Sequence, residues 1–299
     1  MKKKKMLFVY NPRAGKGQIR TKLSDIIEIF VQGGYEVTTY ATGKQGDAIE
    51  IVADREKGRY DVVACCGGDG TLNEVVTGMM SCEEILPIGY IPAGSTNDYA
   101  QSVGIPSSMK KAAQAIVDGN CAAYDVGLFN ENRFVYIAAF GLFTEVSYGT
   151  DQNMKNLLGH TAYILEGAKS LSAVKSYRVK VETGQEVIEE KVIFGMITNT
   201  NSVGGYKKLT DHTVKLDDGE FEVTLIRMPQ NPVELNNIIV SLVSGKLNAE
   251  CICCMKASHI RIETQEPISW TLDGEYGGEH REVNISNESK KLLLLGTNK

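Results

Sequence analysis

Residues Ala64 to Gly78 read ACCGGDGTLNEVVTG, with Gly67, Gly68 and Gly70 set around Asp69. The flanks assign the setting. Ahead of the glycines, YDVVACC (Tyr60 to Cys66) is a short apolar run of the kind that makes a buried strand. Behind them Leu72, Val75, Val76 and Met79 recur at helical spacing. The glycines therefore occupy a strand-to-helix turn. Such a turn aims unpaired backbone N–H groups outward, and the helix dipole adds partial positive charge. Glycine has no Cβ, so a second backbone or an anion approaches closely. A phosphate suits that description. Asp69 would repel it unless a cation mediates, so the turn suggests phosphate together with Mg²⁺. An ordinary tight turn carries the same glycines.

The chain of 299 residues has room for two domains, at roughly 100–200 residues each. Its hydrophobic content of 42% and charged content of 23% are those of a soluble globular protein. A net charge of −5, with no basic stripe interleaved with aromatics, gives nucleic acid nothing to bind. The cysteines, Cys65, Cys66, Cys82, Cys121, Cys251, Cys253 and Cys254, are scattered, and no histidine lies at zinc spacing beside a cysteine pair. Reduced, buried thiols in a cytosolic protein are the expectation. The start, MKKKKMLFVYNP, has too short an apolar part for a signal peptide. No apolar stretch approaches the roughly 20 residues that span a bilayer. A cytoplasmic protein is expected, at most peripheral at the inner membrane face. Lys2 to Lys5 suit anionic lipid there, or form a solvated terminus.

Strands and helices alternate in the first half. KMLFVYNP, YEVTTYAT, YDVVACC and ILPIGYIP read as strands. GQIRTKLSDIIEIFVQGG is an amphipathic helix with Ile19, Leu23, Ile26 and Phe30 on one face, closed by Gly33-Gly34. GDAIEIVADREKG and SSMKKAAQAIVDG are further helices, the last with Ser107 or Ser108 as cap. Repeated β-α units imply a parallel, doubly wound sheet covered by helices. Ligands on such sheets sit at the carboxyl ends of strands. The loops there run from Asn11 to Gly17, Gly67 to Thr71, and Pro92 to Asp98.

After about Asp125 the texture becomes that of alternating strands: RFVYIAAFGLF, YRVKVET, KVIFGMITNT, EFEVTLIRM, CICCM, HIRIET and REVNIS. Asp218-Gly219, Asp273-Gly274 and Gly277-Gly278 supply turns. Two helices interrupt, roughly Leu157 to Leu171 and Val233 to Val243. The expectation is an α/β domain over residues 1–126, with 290–299 packing back on it through KKLLLLG, and an antiparallel β-sandwich over 127–289.

Each loop carries chemistry. NPRAGKG offers Arg13, Lys16 and two glycines after a strand, although it is not the Walker P-loop, whose spacing it lacks. IPAGSTNDYA offers Ser95 and Thr96 hydroxyls, as caps or ligands, with Asn97 and Asp98. A second carboxylate on a second strand-end loop strengthens the Mg²⁺ reading. In VKLDDGEF, Asp217, Asp218 and Glu220 surround Gly219, and in WTLDGEYGG Asp273 and Glu275 flank another Asp-Gly turn. Both read equally as plain hairpin turns. Glu275 becomes a general base only if the fold brings it to the phosphate.

NPRAGKG, GGDGTLNEV, PAGSTNDYA, YDVG, LDDGEF and LDGE, in that order, resemble the diacylglycerol kinase catalytic-domain family, which includes bacterial lipid kinases and sphingosine kinases. GGDGT alone is shared with NAD kinases. The resemblance implies a nucleotide-binding α/β domain and a β-sandwich domain, with ATP and Mg²⁺ between them and a lipid hydroxyl as acceptor, presented at a membrane surface. It places ATP over Asn11, Thr42, Gly67, Gly68, Gly70, Thr71 and Ser95, to which the basic loop adds Lys16 as a phosphate contact. It makes Glu275 the catalytic base, with Asp69 facing the metal, and assigns water-mediated organisation of Mg²⁺ to Asp69, Asp98 and Asp125. A structural Mg²⁺ falls to the Asp218 side chain and the carbonyls of Lys215 and Glu220, the last at a position where family members often carry an apolar residue. The other readings are an NAD kinase-like phosphotransferase and a catalytically silent nucleotide-binding regulator. Diacylglycerol, undecaprenol, phosphatidylglycerol and sphingoid bases stay open as acceptors, and so does oligomeric state, a homodimer included.

Overall fold

The computed structural model describes residues 3–141, 175–200, 214–244 and 250–298. The helix expected at Leu157 to Leu171 lies outside them. The chain divides into two units, Met1–Tyr124 with Lys290–Lys299, and Asp125–Ser289.

In the first unit, β1 (Lys4–Tyr10), β2 (Tyr35–Ala41), β3 (Val62–Gly67) and β4 (Ile88–Pro92) alternate with α1 (Ile19–Gln32), α2 (Asp47–Ala53) and α3 (Asp69–Met80). Then come α4 (Asp98–Ser102) and α5 (Met109–Asp118). The strands are parallel, in the order β2-β1-β3-β4. β3 and β4 are buried along their whole length, as strands covered on both faces must be. That burial pushes the Cys66 thiol up to about 12 and the Cys65 thiol higher still, which makes both inert. Cys121 and Cys254 are exposed instead, against the expectation of uniformly buried thiols. In α1, Ile19, Ile26 and Phe30 are fully buried, and Phe30 meets Phe8 edge-on. Gly33 closes the helix by donating its N–H to Ile29 O. Ser108 stands at the cap position of α5, but its side chain makes no capping hydrogen bond. The cap position of α4 falls to Asn97, not to Ser95 or Thr96.

The second unit is antiparallel. β5 (Cys121–Phe129) enters it and pairs with β6 (Asn132–Phe134). β7 (Ile137–Gly141), β8 (Tyr177–Thr183), β9 (Val187–Thr198) and β10 (Phe221–Arg227) follow. After α6 (Pro232–Ser244) come β11 (Ile252–Ala257), β12 (His259–Leu272) and β13 (Glu275–Leu295). β9 pairs with β8 through its first half and with β7 through its second. β12 does the same, with β8 at Ile260 to Thr264 and β7 at Trp270 to Leu272. The strands β8, β9, β7 and β12 thus close into a ring, which leaves no free edge among them. Phe129, Phe134, Phe140, Phe221 and Trp270 fill the core.

β13 departs from the sequence reading. REVNIS and KKLLLLG are one strand, and Gly277-Gly278 lies inside it instead of making a turn. Its last residues, Leu294 and Leu295, pair in parallel with Ile88 and Gly89 of β4. Their run of leucines suits a buried parallel position.

Candidate active site

In the first unit the strand order reverses between β2-β1 and β1-β3, and loops at the carboxyl ends of strands flank such a switch point. The loops after β1, β2 and β4 are stitched to neighbouring strand ends. Asn11 N–H donates to Cys66 O at 2.9 Å, Thr42 N–H to Tyr10 O at 2.9 Å, and Ala93 N–H to Gly67 O at 2.7 Å.

Above this row the backbones touch. Gly15 has φ +56°, and a Cβ there would stand 2.3 Å from Ala93 O. A Cβ on Gly94 would stand 2.7 Å from Gly68 Cα. Side chains are thus excluded where the loops after β1, β3 and β4 converge, and backbone N–H groups are left to face a ligand. This is the cradle a phosphate needs. Asn97, in the left-handed conformation at φ 53°, locks the loop after β4. Its Oδ1 accepts Gly94 N–H at 2.9 Å and its Nδ2 donates to Gly94 O at 3.0 Å.

The carboxylates assemble beside the glycines. Asp69 is the first residue of α3, and its Oδ2 accepts the Asp98 N–H at 3.1 Å. Asp98 is buried. The Asp69 carboxylate on one strand-end loop thus holds the backbone at the start of α4 on another. Thr71 is buried, Asn11 and Thr42 half-buried, Lys16 and Ser95 exposed. The Asn11 side chain shapes its own loop by accepting Arg13 N–H at 2.9 Å. The donor set fits Mg·ATP: bare backbone and Lys16 for phosphate, Asp69 and Asp98 for a hard cation.

Glu74 is a residue the sequence reading left without a role. From α3 it accepts Gly46 N–H at 2.9 Å and Ala48 N–H at 3.3 Å, holding the start of α2. Asp47 holds the same loop through Gly43 N–H and Lys44 N–H at 2.7 and 2.9 Å. The bonds from Lys44 and then Gly43 keep its carboxyl below the usual range. The Thr42 loop is therefore fixed by two carboxylates. The signal in the sequence was the position of Glu74, on the turn of α3 that follows Asp69.

In the second unit Asp125 is fully buried. Its N–H donates to Leu216 O at 2.9 Å. Its Oδ2 accepts Gly219 N–H at 2.7 Å and Asn287 Nδ2 at 3.2 Å. Asp125 thus clamps the turn that carries Lys215, Asp218 and Glu220. Asp218 Oδ1 accepts Glu220 N–H at 3.2 Å, and its Oδ2 receives Lys256 Nζ at 3.3 Å. An ammonium therefore already stands on the carboxylate assigned to the structural Mg²⁺. The turn as arranged does not fit a directly coordinated divalent ion at that oxygen.

The Asp-Gly-Glu turn joins β12 to β13. Asp273 is buried with φ 50°. Its Oδ2 accepts Val135 N–H, and its Oδ1 accepts Tyr136 N–H and Ile137 N–H. Glu275 is exposed, the first residue of β13. The aspartate is an anchor and the glutamate is presented to solvent.

Comparison with known proteins decides the family. The model of the diacylglycerol kinase catalytic domain matches residues 5–129, and that of the YegS C-terminal NAD kinase beta sandwich-like domain matches 138–288. A curated relative from Bacillus subtilis (strain 168), named diacylglycerol kinase, is 33% identical over 92% of this chain and 91% of its own. The chain belongs to the diacylglycerol kinase family. A second relative of that name, from Staphylococcus saprophyticus, is 32% identical over 96% of this chain and 97% of its own. A crystal structure from Bacillus anthracis str. Sterne agrees with TM-score 0.85 at 25% identity, over 99% of this chain and 96% of that one. Another, of a diacylglycerol kinase from the same strain, has TM-score 0.77 at 23% identity over 99% and 97%, and shows the fold alone. Among the described residues no helix is long and apolar enough to cross a membrane.

Proposed function

We propose that this member of the family transfers the γ-phosphoryl group of Mg·ATP to the hydroxyl of a lipid, diacylglycerol, giving phosphatidic acid at a membrane surface. The observation that carries the reading is the glycine-lined convergence of the loops after β1, β3 and β4, with Asp69 and Asp98 beside it. The names of the relatives support the acceptor.

Phosphoryl transfer asks the protein mainly for positioning and charge neutralisation. Gly67, Gly68 and Gly70 leave N–H groups open to the phosphates, with Asn11, Lys16, Thr42, Thr71 and Ser95 around the nucleotide. Asp69, Asp98 and Asp125 would organise the metal through water. When bound, Mg²⁺ neutralises charge on the β- and γ-phosphates. Glu275 takes the proton of the lipid hydroxyl at its carboxylate, and Asp273 fixes the turn from which it works.

The test is transfer of label from γ-labelled ATP to diacylglycerol, undecaprenol, phosphatidylglycerol, sphingosine and NAD, the lipids in mixed micelles. Labelled phosphatidic acid as the dominant product supports the reading. Label on NAD alone would favour the NAD kinase-like alternative, and no transfer to any acceptor would favour a silent nucleotide-binding regulator.

A further inference from the structure

We propose that the ammonium of Lys256 is the built-in cation of the Asp218 turn, doing there the work the family resemblance gives to a divalent ion. The inference concerns the second unit alone and does not depend on the phosphoryl-transfer reading.

β10 and β11 run antiparallel with Glu222 opposite Lys256. From that register Lys256 Nζ reaches Glu222 Oε1 at 3.2 Å and, in the turn just before β10, Asp218 Oδ2 at 3.3 Å. The side chains are 36% (Lys256), 11% (Glu222) and 23% (Asp218) exposed, so the ammonium bridges a carboxylate withdrawn from water and one still open to it. Two carboxylates so placed repel each other and lose hydration, and a cation between them offsets both costs. Asp218 Oδ1 is engaged by Glu220 N–H, so each oxygen of the carboxylate carries a donor. Gly219 N–H goes to Asp125. The turn is thereby closed by groups of this chain.

A Mg²⁺ ion needs nearly octahedral oxygen ligands at about 2.0–2.1 Å and dehydrates reluctantly. Seated on Asp218 Oδ2 it would press a double positive charge against the ammonium. Among the described residues no three His, Cys, Asp or Glu side chains converge to hold a metal. The only side-chain oxygens the resemblance offers the ion at this turn are those of Asp218, and both already carry donors. Remove the lysine, and Asp218 regains the unmet charge that attracts a divalent ion.

The experiment is a set of thermal melts of the full chain, without ATP or lipid, in EDTA and across a millimolar Mg²⁺ series. Wild type should melt at one temperature throughout. Lys256→Met should melt roughly 2–4 °C lower in EDTA, a loss of about 1 kcal/mol for a unit of this size, and recover as Mg²⁺ is added. Asp218→Asn/Lys256→Met should lose that recovery, which locates the ion. Lys256→Arg keeps the charge and should ignore Mg²⁺. A Mg²⁺-dependent rise in wild type overturns the proposal. So does a Lys256→Met protein that does not respond to Mg²⁺, or one that fails to fold even in its presence. The melts contain no substrate, so their result is separate from that of the kinase assay.

Discussion

Asp273 Oδ2 accepts the backbone N–H of Val135 at 2.6 Å, a residue 138 positions earlier in the chain. With Tyr136 and Ile137 donating to the other oxygen, one buried carboxylate satisfies the N–H groups of the link between β6 and β7. Asp273→Ala leaves those donors without an acceptor in a buried place. It also puts alanine at a positive φ that aspartate and asparagine tolerate better. A loss of about 3 kcal/mol or more is expected in denaturant unfolding. Asp273→Asn, which keeps an acceptor oxygen and the backbone preference, should lose less. Equal stability of all three proteins would remove Asp273 as the anchor.

Glu275, two residues on, carries the proposed proton transfer. A general base contributes typically about 10²- to 10⁴-fold to rate. Glu275→Gln should cut lipid turnover within that range and leave ATP affinity nearly unchanged. Asp69→Asn should weaken Mg·ATP binding as well as turnover. Calorimetry beside the transfer assay separates the two. Wild-type turnover by Glu275→Gln would end its assignment as base.

The glycine convergence predicts a steric effect. In Gly94→Ala the new methyl meets Gly68 Cα at 2.7 Å and Asn97 Oδ1 at 2.9 Å, backbone and locked side chain that yield little. The loops after β3 and β4 must part. ATP affinity should fall about tenfold or more, equivalent to at least about 1.4 kcal/mol, while far-ultraviolet circular dichroism stays native. Unchanged affinity would place the phosphates elsewhere.

Glu222 predicts a pH dependence. Burial raises its pKa from 4.5 to about 7, and Lys256 only partly opposes the rise. The folded state therefore keeps a proton that the unfolded state has released. This contribution is fully present below pH about 4.5 and is lost as pH climbs towards 7, with an upper bound of about 3 kcal/mol. The melting temperature of Glu222→Gln should fall less than that of wild type between pH 5 and pH 8. Parallel curves for the two proteins would show that Glu222 titrates as it does in the unfolded chain.

The elements of the first unit were legible because each answers to a local pattern. Ile19, Ile26 and Phe30 repeat at helical spacing, and all are buried. YDVVACC needed only its unbroken apolar run. In β13 local pattern misled. Gly277-Gly278 looks like a turn, yet the strand runs through it, since flanking pairing outweighs a glycine pair. Polar SNESKK separated two apolar stretches that belong to one strand, because the strand passes from antiparallel pairing with β12 to parallel pairing with β4. The glycines and Asp69 were readable as a strand-to-helix turn, which they form. The partners of Glu74, Asp273 and Lys256 were not, since each reaches a group far along the chain, and only folding sets which donors meet which carboxylates.

The continuity of β13 bears on how the protein is made. Ile88 and Gly89 of β4 receive their last parallel neighbours from Leu294 and Leu295. A ribosome delivers those leucines only after every residue of the second unit has been synthesised. The nascent first unit must therefore wait with one flank of β4 unfilled, exposing an apolar strand edge of the kind that chaperones cover. In this protein the α/β unit begins first and finishes last.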